Sequence, residues 1–242
     1  MRLDKFLVES GLGSRSQVKQ LLKKGQVWVN GTAVTSAKTQ IDERSDQIVV
    51  DGQTLVYEKY VYYLLNKPKG VISATEDDRH KTVLDLLDDT ARQKEVFPVG
   101  RLDVDTHGLL LLTNNGQLSH AMLSPKRHVD KVYQAQVAGL MDQADVERFA
   151  QGIELKDFTC QPAQLEIIER DEGAKTSLVR ITLSEGKFHQ VKRMVLACGK
   201  EVTDLQRLFM GPLQLDPSLE LGQWRRLTEE EMQSLEIFQV EL

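Results

Sequence analysis

The chain has 242 residues, 40% of them hydrophobic, with no low-complexity stretch; this suffices for one large domain or a small and a medium one, and no run nears the roughly 20 apolar residues of a membrane span. Its net charge of −5 argues against a nucleic-acid partner when taken whole, yet residues 1–40 carry +5, from Arg2, Lys5, Arg15, Lys19, Lys23, Lys24 and Lys38 against Asp4 and Glu9, which leaves −10 on the rest. Cys160 and Cys198 lack metal-type spacing and Met1-Arg-Leu-Asp-Lys5 lacks a signal-peptide core, so a cytoplasmic protein without membrane contact, disulfide framework or Cys-based zinc site is expected.

The basic head reads as helix-rich. Leu3, Phe6 and Leu7 recur at helical spacing. Ser14 with Gln17 fits a capping box opening a second helix, and Gly25 fits its stop. In that helix Val18, Leu21 and Leu22 form an apolar stripe, while Arg15, Lys19 and Lys23 recur every four residues on another face. Such a row is often no more than a solvated surface. Here no acid on the helix offsets the i,i+4 repulsion, which points to a polyanionic partner. Val27 to Val34 places two short apolar runs around Asn30-Gly31, a strong hairpin signal. Taken together, Arg2-Leu-Asp-Lys-Phe-Leu7, Ser14-Arg-Ser16 and Gly25-Gln-Val-Trp-Val-Asn-Gly31 make residues 1–50 resemble an S4-type RNA-binding domain. That resemblance implies that Arg15, Lys19 and Lys23 contact RNA.

Residues 51–59 are polar and turn-rich and are expected to link a head, residues 1–58, to a body, residues 60–242. Tyr62 to Leu65 reads as a strand ending in the turn Asn66-Lys-Pro-Lys-Gly70, and Thr82 to Leu87 as a short helix. Next comes Gly100-Arg-Leu-Asp-Val-Asp-Thr-His-Gly108, which feeds the unbroken apolar run Leu109 to Leu112. A strand so apolar is expected to be buried, and a carboxylate at its mouth loses hydration unless a cation or hydrogen bonds compensate. Residues 130–138 alternate like a half-buried strand. Residues 142–152 read as a helix ending at Gly152, Leu178 to Leu183 as a strand, and His189 to Ala197 as a helix stopped at Gly199.

Three segments carry candidate chemistry: the loop with Arg101, Asp103 and Asp105; Lys131-Val-Tyr133; and Glu185 to Met194, dense in Lys187, His189, Lys192 and Arg193. Each has an ordinary alternative. The aspartates could cap turns, Tyr133 could be a core aromatic, and Lys192 and Arg193 could be a solvated face or a phosphate clamp. The histidines lack ligand spacing, and Asp103-x-Asp105 has no third carboxylate beside it, so no metal is expected. In this order, however, Gly100-Arg-Leu-Asp-x-x-Thr-x-Gly-Leu-Leu-Leu-Leu-Thr113, Lys131-x-Tyr133 and Glu185-Gly-x-x-His-Gln-Val-Lys-Arg-Met194 resemble the RsuA-type pseudouridine synthases. Asn66-Lys-Pro-x-Gly70, Ser124-Pro125, Leu205-x-Arg207 and Leu227-Thr-Glu-Glu-Glu231 match as well. Asn114-Asn115-Gly116 departs from the family, which usually has an acid before the glycine; it is read as a turn beyond the catalytic loop.

The resemblance implies an α+β chain: an S4 head of helices plus a short hairpin, linked to a mixed, largely antiparallel sheet flanked by helices. It implies isomerisation of uridine to pseudouridine in ribosomal RNA, with no cofactor. No phosphate-binding glycine loop or dinucleotide fingerprint is present. By position in the motifs, Asp103 is the catalytic aspartate, acting as nucleophile at C1′ or as base at C2′. Tyr133 stacks on the uracil, and Lys192 pairs with Asp103, with Arg193 as second choice. Arg101, Arg193, His189 and Lys67 are expected on the RNA. The expected target is uridine 516 of 16S ribosomal RNA, the short segment after Leu227-Thr-Glu-Glu-Glu231 being the feature that favours it over 23S RNA, and the expected partner is a small-subunit assembly intermediate. A monomer is expected. A non-catalytic S4-type RNA-binding or assembly protein, and a phosphoesterase using Asp103 and Asp105, are the alternatives.

Overall fold

A computed structural model describes residues 1–43, 45–55 and 57–242. Arg44 and Val56, which fall in the expected head and linker, lie outside the described residues. The chain divides into two compact units. One comprises Met1–Val61 with Asp88–Glu95, and the other Tyr62–Leu87 with Val96–Leu242. The sequence reading placed all of residues 60–242 in one body, so the two divisions differ at residues 60–61 and at the short segment 88–95.

In the first unit, α1 (Leu3–Glu9) and α2 (Arg15–Lys23) pack Leu3, Phe6, Leu7, Val18 and Leu22 into one core with Val27, Ile41, Ile48 and Val50. Removing each large apolar side chain from water contributes about 1.5–3 kcal/mol. The capping box at the start of α2 is present: Gln17 Oε1 accepts from Ser14 N at 2.8 Å, and Gln17 N donates to Ser14 Oγ at 3.4 Å. Gly25 takes a positive φ of 71° and stops the helix. A four-stranded sheet has the order β2-β1-β3-β4, with β1 Val27–Val29, β2 Thr32–Ala33, β3 Ile48–Val50 and β4 Gln53–Leu55. Asn30 and Gly31 join β1 to β2 with φ of 50° and 77°, as a type I′ turn requires. Arg15, Lys19 and Lys23 are all exposed on α2. Helix α3 (Asp89–Gln93) completes this unit.

The second unit is built on a nine-stranded sheet. Its strands are β5 Tyr62–Lys67, β6 Phe97–Pro98, β7 His107–Thr113, β8 Lys131–Ala138, β9 Gln164–Asp171, β10 Thr176–Leu183, β11 Glu201–Met210, β12 Leu213–Gln214 and β13 Trp224–Arg226. The order is β13-β5-β7-β11-β8-β10-β9, with β12 on β11 and β6 on β7. Every pairing is antiparallel except β7 with β11. The sheet is flanked by α4 (Gly116–Leu123), α5 (Gln143–Gln151), α6 (Gln190–Ala197) and α7 (Glu229–Ser234).

The apolar run explains why β7 is central, since Leu109 to Leu112 are fully buried as a strand covered on both faces must be. Gly108 permits the parallel contact. A Cβ there would sit 2.4 Å from the Arg207 carbonyl oxygen and 2.8 Å from its nitrogen. Asn115 is no surface turn residue. It is fully buried and caps α4 by accepting from Leu118 N at 3.1 Å, while its amide donates to Tyr62 Oη at 3.0 Å. Asn115 thus serves as the N-cap of α4, a position that Asn suits well. The short helix expected at 82–87 is a 3₁₀ turn, Val83–Leu86, with Thr82 and Asp85 as its capping box.

Candidate active site

The loop between β6 and β7 carries the acidic motif, and its backbone is pinned from below. Leu102 is buried, and the Ser73 hydroxyl both accepts from its amide at 3.0 Å and donates to its carbonyl at 2.9 Å. Gly70 N donates to the Val104 carbonyl at 2.7 Å. Lys67, at the end of β5, is fully buried. Its ammonium donates to the carbonyls of Pro68, Asp103 and Thr106 at 3.1, 3.0 and 3.0 Å. This corrects the sequence reading of Lys67 as an RNA contact. Its surroundings are protein carbonyls and its charge is spent on the loop. Burial pushes its pKa down to about 8, against the opposing pull of Asp103 and Asp105.

The pinned loop presents the Asp103 carboxylate, 28% exposed, to the start of α6. Lys192 sits in the first turn of that helix. Its Nζ lies 3.2 Å from Asp103 Oδ2 and 2.5 Å from Asp105 Oδ1. His189 Nε2 is 3.5 Å from the other Asp103 oxygen. The hydrogen bond from Lys192 holds the Asp105 carboxyl below its ordinary range. The two aspartates therefore share one ammonium, and among the described residues no group of three or more His, Cys, Asp or Glu is arranged to hold a metal.

The segment before α6 is braced by Glu185 and Gln190. Gln190 Nε2 donates to Glu185 Oε1 at 2.6 Å, and Gln190 Oε1 accepts from Lys187 N at 2.9 Å. His189 caps the helix at a positive φ of 50°. Arg193 turns elsewhere. Its guanidinium pairs with Asp157 and lies 5.1 Å over the Phe158 ring. Of the two cations considered for Asp103, Lys192 alone makes the contact.

Asp103, Tyr133, Arg101 and His189 line one cavity of about 130 Å³. Tyr133 reaches it from β8, on the face shared by Lys131, Ala135 and Val137, and is 8% exposed. Arg101 is exposed at the rim. Two further cations stand in the wall, Lys131 and Arg207, which the sequence presented only as members of the motifs Lys131-x-Tyr133 and Leu205-x-Arg207, without a role of their own. Lys131 is 7% exposed and donates to the Val129 carbonyl at 2.8 Å; burial and the nearby Arg207 lower its pKa. Arg207 is 2% exposed. The signal for Lys131 was available, because the period-2 alternation of residues 131–137 puts it on the buried face with Tyr133. A carboxylate held between an ammonium and an imidazole, at the edge of a cavity floored by a tyrosine, suits attack on a sugar carbon beside a stacked planar base.

Residues 61–197 match the family model described as RNA pseudouridylate synthase, and residues 1–48 match the S4 domain. The chain belongs to the RNA pseudouridylate synthase family. It is a pseudouridine synthase of the RsuA type, with the S4 head ahead of the catalytic domain. It is 44% identical to an uncharacterized RNA pseudouridine synthase, YtzG, of Bacillus subtilis, over 97% of this chain and 98% of that one. It is 41% identical to the ribosomal small subunit pseudouridine synthase A of Vibrio cholerae, over 97% and 99% of the two chains. Identity to the ribosomal large subunit pseudouridine synthase B of Bacillus subtilis is 39%, over 97% and 95%. A crystal structure of a pseudouridylate synthase superposes with a TM-score of 0.66 at 37% identity, covering 97% of this synthase and 99% of the other.

Proposed function

We propose that this synthase isomerises uridine 516 of 16S ribosomal RNA, with Asp103 as its catalytic carboxylate, Lys192 as the cation that holds it and Tyr133 as the surface on which the uracil stacks. The observation that carries the assignment of roles is the single cavity shared by Asp103 and Tyr133, with the Lys192 ammonium 3.2 Å from the carboxylate. A base inside a stack is out of reach, so the target nucleotide is flipped out at a cost of a few kcal/mol. Stacking on Tyr133 and phosphate contacts along the RNA offset that cost.

The N1–C1′ bond then breaks with its electron pair leaving on uracil. Asp103 either bonds to C1′ or takes the proton from C2′. The freed ring turns, C5 bonds to C1′, the C5 proton is lost, and N1 gains one. Lys67 and Ser73 act through the backbone, keeping Asp103 aimed into the cavity. Exposed Arg15, Lys19 and Lys23 neutralise phosphates, which position the enzyme without reading sequence.

Ribosomal RNA as the substrate is supported by the relatives that act on it, and the small subunit by relatives so named in Vibrio cholerae and Escherichia coli at 39–41% identity. The relative named for the large subunit supports 23S RNA at 39%, so the test must read both. Pseudouridine mapping of ribosomal RNA from cells lacking this protein is expected to show one lost site, at uridine 516. Loss confined to 23S RNA would move the substrate, and an unchanged map of both RNAs would overturn the proposal.

A further inference from the structure

Arg207 is 2% exposed and sits in the wall of the cavity with Asp103 and Tyr133. Its Nε donates to the Leu109 carbonyl at 2.8 Å, which ties it to the strand that follows the Asp loop. Its Nη2 is buried and has no hydrogen-bond partner. Among the described residues no carboxylate forms an ion pair with it, and the cation Lys131 is near enough for Arg207 to lower its pKa. In the β8–β11 ladder Arg207 stands directly opposite Tyr133, so the two side chains rise on the same face of the sheet. Gly108, its neighbour on the parallel strand, leaves the room this packing needs.

A buried guanidinium with an idle donor and a like-charged neighbour is costly to keep. A preorganised donor of this kind is most useful where negative charge develops during a reaction. The site has such a moment. When the N1–C1′ bond breaks, the electron pair leaves with uracil and spreads over N1, O2 and O4, and a ring stacked on Tyr133 lies beside Arg207.

We propose that Arg207, backed by Lys131, donates to a uracil carbonyl oxygen and stabilises the uracil anion formed at glycosidic cleavage. The inference rests on the pseudouridine synthase reading of the site. Electrons and atoms balance without a further reactant. The pair taken by uracil at cleavage returns when C5 bonds to C1′, Asp103 is released or gives back the C2′ proton, and one proton moves from C5 to N1. Arg207 stays protonated throughout. Because the contact strengthens as charge develops, it acts on rate more than on RNA affinity.

The test compares single-turnover cleavage of two RNAs, one with uridine and one with 5-fluorouridine at the target position. Fluorine makes the departing ring a weaker base and so lowers the need for an external donor. Arg207→Gln is expected to slow the uridine RNA by about 10²–10³-fold, with RNA dissociation constants within about twofold of wild type and a much smaller loss on the fluorouridine RNA. Arg207→Lys keeps a cation without the fork and is expected to fall between; it carries the same comparison where the Gln variant does not fold. Equal losses on both RNAs, or weakened binding with an unchanged rate and a shallower salt dependence, as for a phosphate contact, would overturn the proposal. So would an unchanged rate. A wild-type protein that makes no pseudouridine would instead overturn the functional reading on which this one rests.

Discussion

Lys67→Met removes the ammonium beneath the Asp loop and keeps an unbranched side chain. It leaves three carbonyls, those of Pro68, Asp103 and Thr106, without the donor now at 3.0–3.1 Å. At the low end of about 1–3 kcal/mol for each unsatisfied group, the loss is about 3 kcal/mol. Against it stands the cost of keeping a charged amine in the interior at neutral pH. The pKa falls from 10.5 to about 8, and that drop corresponds to about 3 kcal/mol, which the substitution relieves. The two nearly cancel, so denaturant titration at pH 7 is expected to show a change within about 2 kcal/mol. Activity has no such compensation. A loop free to move by about 1 Å loses on the order of 10²-fold in rate, measured as single-turnover pseudouridine formation. The pH dependence has a definite sign. The unfolded chain keeps this proton up to 10.5 and the folded chain releases it at about 8, so between those values the unfolded state binds more protons. Stability of the wild type therefore rises relative to Lys67→Met across that window. Activity falls there, because a neutral amine has two hydrogens for three carbonyls. Wild-type activity in Lys67→Met, or a loss that merely tracks unfolding, would refute the reasoning.

Two further variants separate chemistry from binding. Lys192→Gln is expected to lower the single-turnover rate by about 10²-fold or more, as loss of a preorganised charge does. It should change stability by only about 0–1 kcal/mol, because Lys192, Asp103 and Asp105 are 22%, 28% and 64% exposed and solvent screens such pairs. Replacing Arg15, Lys19 and Lys23 together by Gln should reduce the slope of log affinity against log salt by about 2–3, at about 0.7–0.9 for each phosphate contact. The rate at saturating RNA should stay unchanged.

The parts of the fold that were legible in the sequence are those set by local chemistry. Asn30-Gly31 specified a turn whose two positive φ angles few other pairs accept. The alternation in residues 131–137 gave the buried face of β8, and the run Leu109–Leu112 gave a covered strand. The candidate site was legible because its motifs lie in short segments. Asp103, Tyr133, His189 and Lys192 meet as the motif order implied.

What was hidden depends on long-range packing. Lys67 has the sequence context of a surface turn lysine, and only the arrival of the Asp loop over it buries the charge. Arg207 lies in a strand whose pairing with β7 spans about a hundred residues, and nothing local marks its guanidinium as buried. Helix α4 was missed because its first residue is Gly116 and its cap, Asn115, reads as a turn until Tyr62 and Leu118 are brought beside it. Arg193 differs from Lys192 by one position, which on a helix turns it by about 100° toward Asp157.

The carboxylate of Asp103 is the group on which the proposed chemistry depends most directly, and one substitution tests it alone. Asp103→Asn keeps the shape of the side chain while removing the charge that is proposed to attack the sugar or take its proton. Purified Asp103→Asn incubated with the RNA that the wild type modifies is expected to bind it with near-wild-type affinity and to form no pseudouridine. Pseudouridine appearing at the same position, at any rate within about tenfold of wild type, would contradict the account.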